Sequence, residues 1–349
     1  MLFTPAAASA ADVTASPLAA RLAGLADQVK SWGDSAVGMR VRKGLNAALS
    51  ILILLLLVRA IAQVGWEQVV AVLPASPLFW ALFIGSYLLP PLVDWHIYRR
   101  WWGFGWESVG VFLKMRVMND ALFSYSGHTY LLVWAANRMG IEFDPNTPPA
   151  RILGRGDTAG VDPSKSPFAA VKDMAITSGL AGNLATLVML ILALSLDGAT
   201  ALGSALDART RQILLWSFGA MIVLNVGIVL FRGKVMSLPV KENMYAFRWH
   251  MFRVLMTQAL LVGSWAVALP GIDAETWFLL GALRMVIGRM PVPNKEILFA
   301  AIAVSLAGDA AVEVAALMAA QGALHLLFHA AAWGVSAVQE AAMPARQAD

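Results

Sequence analysis

The chain has 349 residues, 59% of them hydrophobic and only 14% charged, with a mean hydropathy of +0.66. Soluble domains carry roughly a quarter of their residues as charges, so this composition excludes an ordinary soluble enzyme and predicts an all-α, polytopic transmembrane helix bundle. The net charge of +4 suits cationic cytoplasmic loops and gives no argument for nucleic acid, while the absence of cysteine removes disulfides and thiolate metal ligands.

Residues 1–17 are rich in Ala, Ser and Pro and lack the basic start and apolar core of a signal peptide. Leu18, Leu22, Leu25 and Val29 then recur at helical spacing. They predict a short amphipathic helix, lying on the membrane or packed as a cap, within a cytoplasmic segment 1–43. Arg40, Arg42 and Lys43 precede a first span over 44–63, and cationic flanks favour a cytoplasmic N-terminus. The membrane domain is expected over 44–338, followed by a tail, 339–349. A second span, 76–94, carries Pro90-Pro91 and runs into Arg99, Arg100, Trp101 and Trp102, which mark a cytoplasmic interface. Asp94 and His96 read there as interfacial polar residues or as chemical groups.

The stretch 118–138 is long enough to enter a bilayer, yet holds Asn119, Asp120, Ser124, Ser126, His128 and Thr129. Such groups are tolerated in hydrocarbon only where they face protein or a wet cavity. Ser126-Gly127 invites a helix break. A crossing here would put Arg138, Arg151, Arg155, Lys165 and Lys172 outside, against the positive-inside bias. The expectation is therefore a re-entrant or broken element lining a cavity, with 139–166 a flexible cytoplasmic loop; an ordinary buried helix is the blander alternative.

Ser166-Pro167 reads as N-cap and first helical residue of a long helix, 167–196, with Lys172-Asp173 near its start and a Ser178–Gly182 small-residue spacing. A span over 212–231 follows, then a cationic loop over 232–253, and spans over 254–270 and 275–289 around the acidic turn of Asp273 and Glu275. The last span returns the chain to Arg284, Arg289 and Lys295. The C-terminal stretch then repeats the theme of 118–138. A Pro-rich break with Lys295-Glu296 leads to a short apolar piece ending at Gly308-Asp309, and then to a longer helix with Glu313, Gln321, His325 and His329. Asp309 and Glu313 share a helical face. Paired interrupted segments in two halves of a membrane chain point to a transport site. His325 and His329 have the spacing of a metal histidine box, but five histidines are too few for a multi-box oxidase, and two helix-facing side chains is the simpler reading.

The order of spans, the Asn119…Ser126-Gly127-His128 core and the late Pro291…Pro293…Glu296 segment resemble the flippase-like transmembrane domain of lysylphosphatidylglycerol synthase and its bacterial inner-membrane relatives. The likeness covers residues 44–337. Tyr125-Ser126-Gly127-His128 stands where that family shows Pro-Gly-Gly and Gly-Glu, and Asn294-Lys295-Glu296 follows Pro293 without the family's glycines. The resemblance implies lipid translocation between leaflets, with Glu296 at the position of the motif glutamate.

Together these readings predict about six or seven spans and two re-entrant or broken segments. The expected function is leaflet exchange of an anionic lipid or lipid-linked intermediate in a bacterial inner membrane, without a cofactor. Asn119, Asp120, Ser126, His128, Lys172, Arg284, Arg289, Lys295, Glu296, Asp309 and Glu313 are the candidate binding or gating residues. A membrane enzyme acting on a lipid or polyprenyl phosphate, and a non-catalytic assembly factor, are the alternatives.

Overall fold

The computed structural model describes residues 67, 70, 73–122, 125–141, 163–195, 208–289 and 295–342. The expected amphipathic helix, the span 44–63, most of the loop 139–166 and the C-terminal tail from 343 lie outside them. The described residues are helical, without strands, and fall in one compact unit. Helix α1 is Pro77–Trp102, α2 Val109–Ala121, α3 Ser126–Met139, α4 Pro167–Ala193, α5 Ala208–Leu230, α6 Val240–Ala268, α7 Ala274–Arg289, α8 Lys295–Leu306 and α9 Ala311–Ala342. Four stretches, α1, α4, α6 and Gly308–Ala342, are long and apolar enough to cross a membrane. The chain is a membrane protein built as an α-helical bundle.

Local sequence sets the ends of these helices. Pro77 and Pro167 occupy first-turn positions, where a missing N–H costs nothing, and the Ser166 hydroxyl accepts from Ala169 N at 3.4 Å. Gly103 and Gly140 close α1 and α3 with positive φ, which only glycine adopts without strain. One expected boundary is corrected. Residues 240–253, read as part of a loop because of their cations, belong to α6, so Arg248 and Arg253 are helical.

Helices α1 and α6 run antiparallel over their whole length. Trp101 donates to Glu242 at 2.8 Å, the His96 and Trp249 rings lie 4.4 Å apart, Arg253 reaches Asp94, and Gly85 faces Leu260. This register defines two ends. At one end Arg99, Arg100, Arg138, Lys165, Arg232 and Lys241 gather; at the other stand Asp273, Glu275, Asp309 and Glu313. Each end has an aromatic core. Trp95, Tyr98, Trp101, Trp102 and Phe112 pack at the basic end, and Phe79, Phe83, Trp265, Trp277 and Phe299 at the acidic end.

Helices α2 and α3 form a hairpin. Lys114 lies over the Tyr130 ring, Gly127 abuts Met115, and Ser126 donates to the Met118 carbonyl at 2.7 Å. These pairs fix an antiparallel register, and the Phe104–Trp134 contact returns α3 to the basic end. With 13 and 14 residues, each arm is about 20 Å long at 1.5 Å per residue, short of a hydrocarbon core of roughly 30 Å. The break falls just before Ser126 rather than at Ser126-Gly127, with Tyr125 at φ 73°.

Helices α7 and α8 pair the same way from the acidic end. Trp277 and Phe299 share a core there, and Leu306 packs back beside Leu279. The segment 275–289, expected as a span, is thus one arm of a hairpin. The order long helix, hairpin, long helix therefore occurs twice: α1, α2–α3, α4, and then α6, α7–α8, α9, with the directions reversed. Helix α5 connects the halves, tied to α4 by Asn183 and Asn225 at 3.2 Å.

Candidate functional site

Helices α1, α4 and α6, the α2–α3 hairpin and the end of α7 line a cavity of about 420 Å³, lying between the aromatic cores. Four arginines line it, Arg116, Arg253, Arg284 and Arg289, with two carboxylates, Asp94 and Asp120. Charged groups inside a helical membrane domain are costly, and they mark a functional pathway unless each is explained by structure.

Pro91 explains Arg116. It lacks an N–H, so the carbonyl of Tyr87, four residues earlier in α1, has no helical donor. Arg116 Nη1 donates to that carbonyl at 2.8 Å, and its guanidinium lies 4.4 Å from the centre of the Tyr87 ring. The Asp120 carboxylate, one turn on in α2, stands 3.6 Å from Arg116 and 3.6 Å from His329 Nε2. The Tyr87 hydroxyl lies 2.8 Å from His329 Nδ1. A neutral ring that presents Nε2–H to the carboxylate accepts the tyrosine proton at Nδ1. Tyr87, His329 and Asp120 thus form a polar chain from the core to the cavity.

Arg253 sits at the junction of α1, α4 and α6. Its Nη1 lies 2.5 Å from Asp94 Oδ1, and its Nη2 donates to the Ser178 hydroxyl at 2.7 Å. Removing one partner of so buried a pair costs roughly 3–5 kcal/mol. Arg289 is placed by a glycine: a Cβ at Gly182 would overlap the Arg289 guanidinium. The small residues Ser178 and Gly182 therefore make room for arginines rather than for a helix backbone.

At the first hairpin tip, Asn119 Oδ1 accepts from Gly127 N at 2.9 Å and Asn119 Nδ2 lies 3.2 Å from His128 Nδ1. Asn119 holds the tip closed while His128 faces the cavity. Of the residues singled out from sequence, Asn119, Asp120, His128, Arg284 and Arg289 line one cavity. Ser126 is buried against the Met118 carbonyl. Lys172 is engaged elsewhere, by Asp173 at 2.6 Å and the Val235 carbonyl at 2.6 Å. Asp173 in turn accepts from Ser237 N and Leu238 N, so this pair anchors the chain leading into α6. Asp309 and Glu313 are exposed at the acidic end, away from the cavity. The side chains of Lys295 and Glu296 lie outside the described residues.

Sequence reasoning missed the α6 contribution: His250, Arg253, Thr257 and Gln258. Their spacing of three, four, seven and eight was the available signal, hidden by reading 232–253 as loop. His325 and His329 belong to α9 packing: His325 stands edge-on to the Phe83 ring at 5.3 Å, and His329 bonds Tyr87. Among the described residues no group of three or more His, Asp or Glu gathers as for a metal ion. No protein-family model, curated protein or solved structure matches this chain.

Proposed function

We propose that this protein moves an anionic lipid or lipid-linked intermediate between the leaflets of a bacterial inner membrane. The observation that carries the reading is a cavity lined by four arginines, to which the α2–α3 hairpin and the α7 arm of the oppositely directed hairpin both contribute. Inverted halves with short, interrupted helices around a central site are the architecture in which alternating access works, because each half presents the site to one side. Arginine suits the phosphate that lipid headgroups share, through planar, bidentate hydrogen bonding. The likeness of the Ser126-Gly127-His128 and Pro293…Glu296 segments to flippase-like domains supports the same reading. Lys295 and Glu296 open α8 at the second tip, where a gating role for them is part of the proposal.

The orientation follows from charge. With the basic end cytoplasmic, the positive-inside bias is met and both flanks of the α2–α3 hairpin are cytoplasmic, making it re-entrant. A crossing by 44–63 then places the N-terminus in the cytoplasm as well. Purified protein in liposomes, with headgroup-labelled lipid and a membrane-impermeant quencher, tests the proposal: protein-dependent loss of protected label supports it, and unchanged protection contradicts it.

The Tyr87–His329–Asp120 chain favours a second reading, an enzyme acting on a lipid substrate, because an imidazole beside a carboxylate at a cavity suits proton transfer. A new chemical product on adding protein to lipid, rather than relocation of unchanged lipid, selects it.

A further inference from the structure

Helix α6 presents the cavity with a stripe of polar groups that the protein itself leaves unpartnered. Both ring nitrogens of His250, the Thr257 hydroxyl and Gln258 Nε2 are buried without a hydrogen-bond partner, and all three residues line the cavity. His250 is only 1% exposed. They fall on one helical face together with Arg253, which is bonded to Asp94 and Ser178; the Asp94 carboxylate stands 3.9 Å from His250 Nδ1, beyond hydrogen-bond reach. More than nine in ten buried polar groups in proteins find partners, so three such residues in a row around one cavity point to something that binds there.

The chemistry of the stripe says what. Gln258 Nε2 and the Arg253 guanidinium only donate, and His250 and Thr257 each offer a donor. Such a set matches a group made of acceptors. Of the two lining carboxylates, Asp94 is held by Arg253 at 2.5 Å and Asp120 stands half-exposed 3.6 Å from Arg116, against four lining arginines. An ammonium would therefore enter a cavity whose lining carries more cations than carboxylates.

We propose that the α6 stripe, His250, Arg253, Thr257 and Gln258, is the binding site for phosphate oxygens of a headgroup that carries no amine. This deepens the translocation reading and rests on it for the identity of the ligand as a lipid. It also separates the substrate from aminoacylated lipids.

The test uses the full-length protein in detergent and equilibrium binding of three probes: short-chain phosphatidic acid, short-chain phosphatidylethanolamine and inorganic phosphate. Phosphatidic acid is expected to bind at least ten-fold more tightly than phosphatidylethanolamine. Inorganic phosphate competing as well as phosphatidic acid overturns the lipid source of the phosphate; weak or absent competition supports it. Thr257→Val and Gln258→Leu are each expected to weaken phosphatidic acid binding roughly ten-fold, since a hydrogen bond to a charged group is lost. Because each removes an unsatisfied buried polar group, the ligand-free variants should melt at or above the wild-type temperature. A group with a purely structural role would lower it. Equal affinity for the two lipids, wild-type affinity of both variants, or no binding by any probe overturns the inference. Binding with this pattern but no leaflet exchange leaves the phosphate site standing and removes the translocation reading instead.

Discussion

Arg116 donates to the Tyr87 carbonyl at 2.8 Å, the acceptor that Pro91 leaves without its helical donor. A helix break in α1 and a cation in α2 are thus one device: the proline opens the backbone and the arginine closes it from the hairpin. Substituting either residue alone removes half of it. Arg116→Met is expected to destabilise the protein by about 1–3 kcal/mol, the cost of an unsatisfied buried group. Adding Pro91→Ala, which restores the helical N–H, should recover part of that loss. A double-mutant cycle by thermal unfolding in detergent measures the coupling, and strict additivity would show that the two residues act independently.

Gly182 and Gly179 lie one turn apart on α4 but differ in surroundings. A Cβ at Gly182 would meet the Arg289 guanidinium, whereas nothing lies within 4 Å of one at Gly179. Gly182→Ala is therefore expected to push the Arg289 guanidinium aside and reduce lipid movement, less than Arg289→Ala does, with Gly179→Ala near wild type. Leaflet exchange at matched protein levels compares the three. Equal effects of the two glycine variants would show that Arg289 placement is not what Gly182 provides.

The α2–α3 hairpin depends on a close approach, because a Cβ at Gly127 would collide with the Met115 carbonyl. Gly127→Ala should separate the arms and lower the melting temperature, with a cost of about 1–3 kcal/mol for overpacking. Since the chain has no cysteine, single cysteines at Asn146 and Asp162 report sidedness cleanly. Both should resist an impermeant thiol reagent in intact cells. Labelling from outside would place the hairpin's flanks on the wrong face.

Asp273 caps α7, accepting from Thr276 N at 2.7 Å and from the Thr276 hydroxyl at 2.8 Å. These bonds, backbone first, hold its carboxyl below the usual value near 3.8. A depressed carboxylate contributes stability above its unfolded-state value and loses it as pH falls through the folded-state value. Asp273→Ala should cost about 1 kcal/mol at neutral pH, as for a lost helix cap. The gap between variant and wild type should close below about pH 4. A gap independent of pH would remove the charge from the account.

The fold was legible where periodicity and punctuation agree. Ser166-Pro167 opens α4 as read, and the polar stretch around Asn119 and His128 is interrupted and faces a cavity. Cations misled in both directions. Lys172 counts in the sequence as available for substrate but is bound by its own neighbour Asp173 and by the Val235 carbonyl, a contact 63 residues away that only the fold discloses. Arg253 looked like loop charge because hydropathy averages over a window and ignores which face a side chain takes. Asp94 reads in the sequence as interfacial or as a chemical group, and its ion pair is out of reach of either reading, since the partner lies 159 residues away in sequence. The second hairpin was hidden because one arm alone, 275–289, has the composition of a short span.

The most direct test of the account is leaflet exchange of a phosphate-bearing, amine-free lipid in liposomes holding either the wild-type protein or Arg289→Gln. Arg289 lines the cavity near the second hairpin tip, so its loss should spare folding while removing a headgroup contact. Wild-type protein is expected to accelerate exchange over empty liposomes, and Arg289→Gln to slow it at least ten-fold at equal reconstitution. No acceleration by wild-type protein, or exchange by Arg289→Gln at the wild-type rate, would contradict the claim that anionic lipid passes through this cavity.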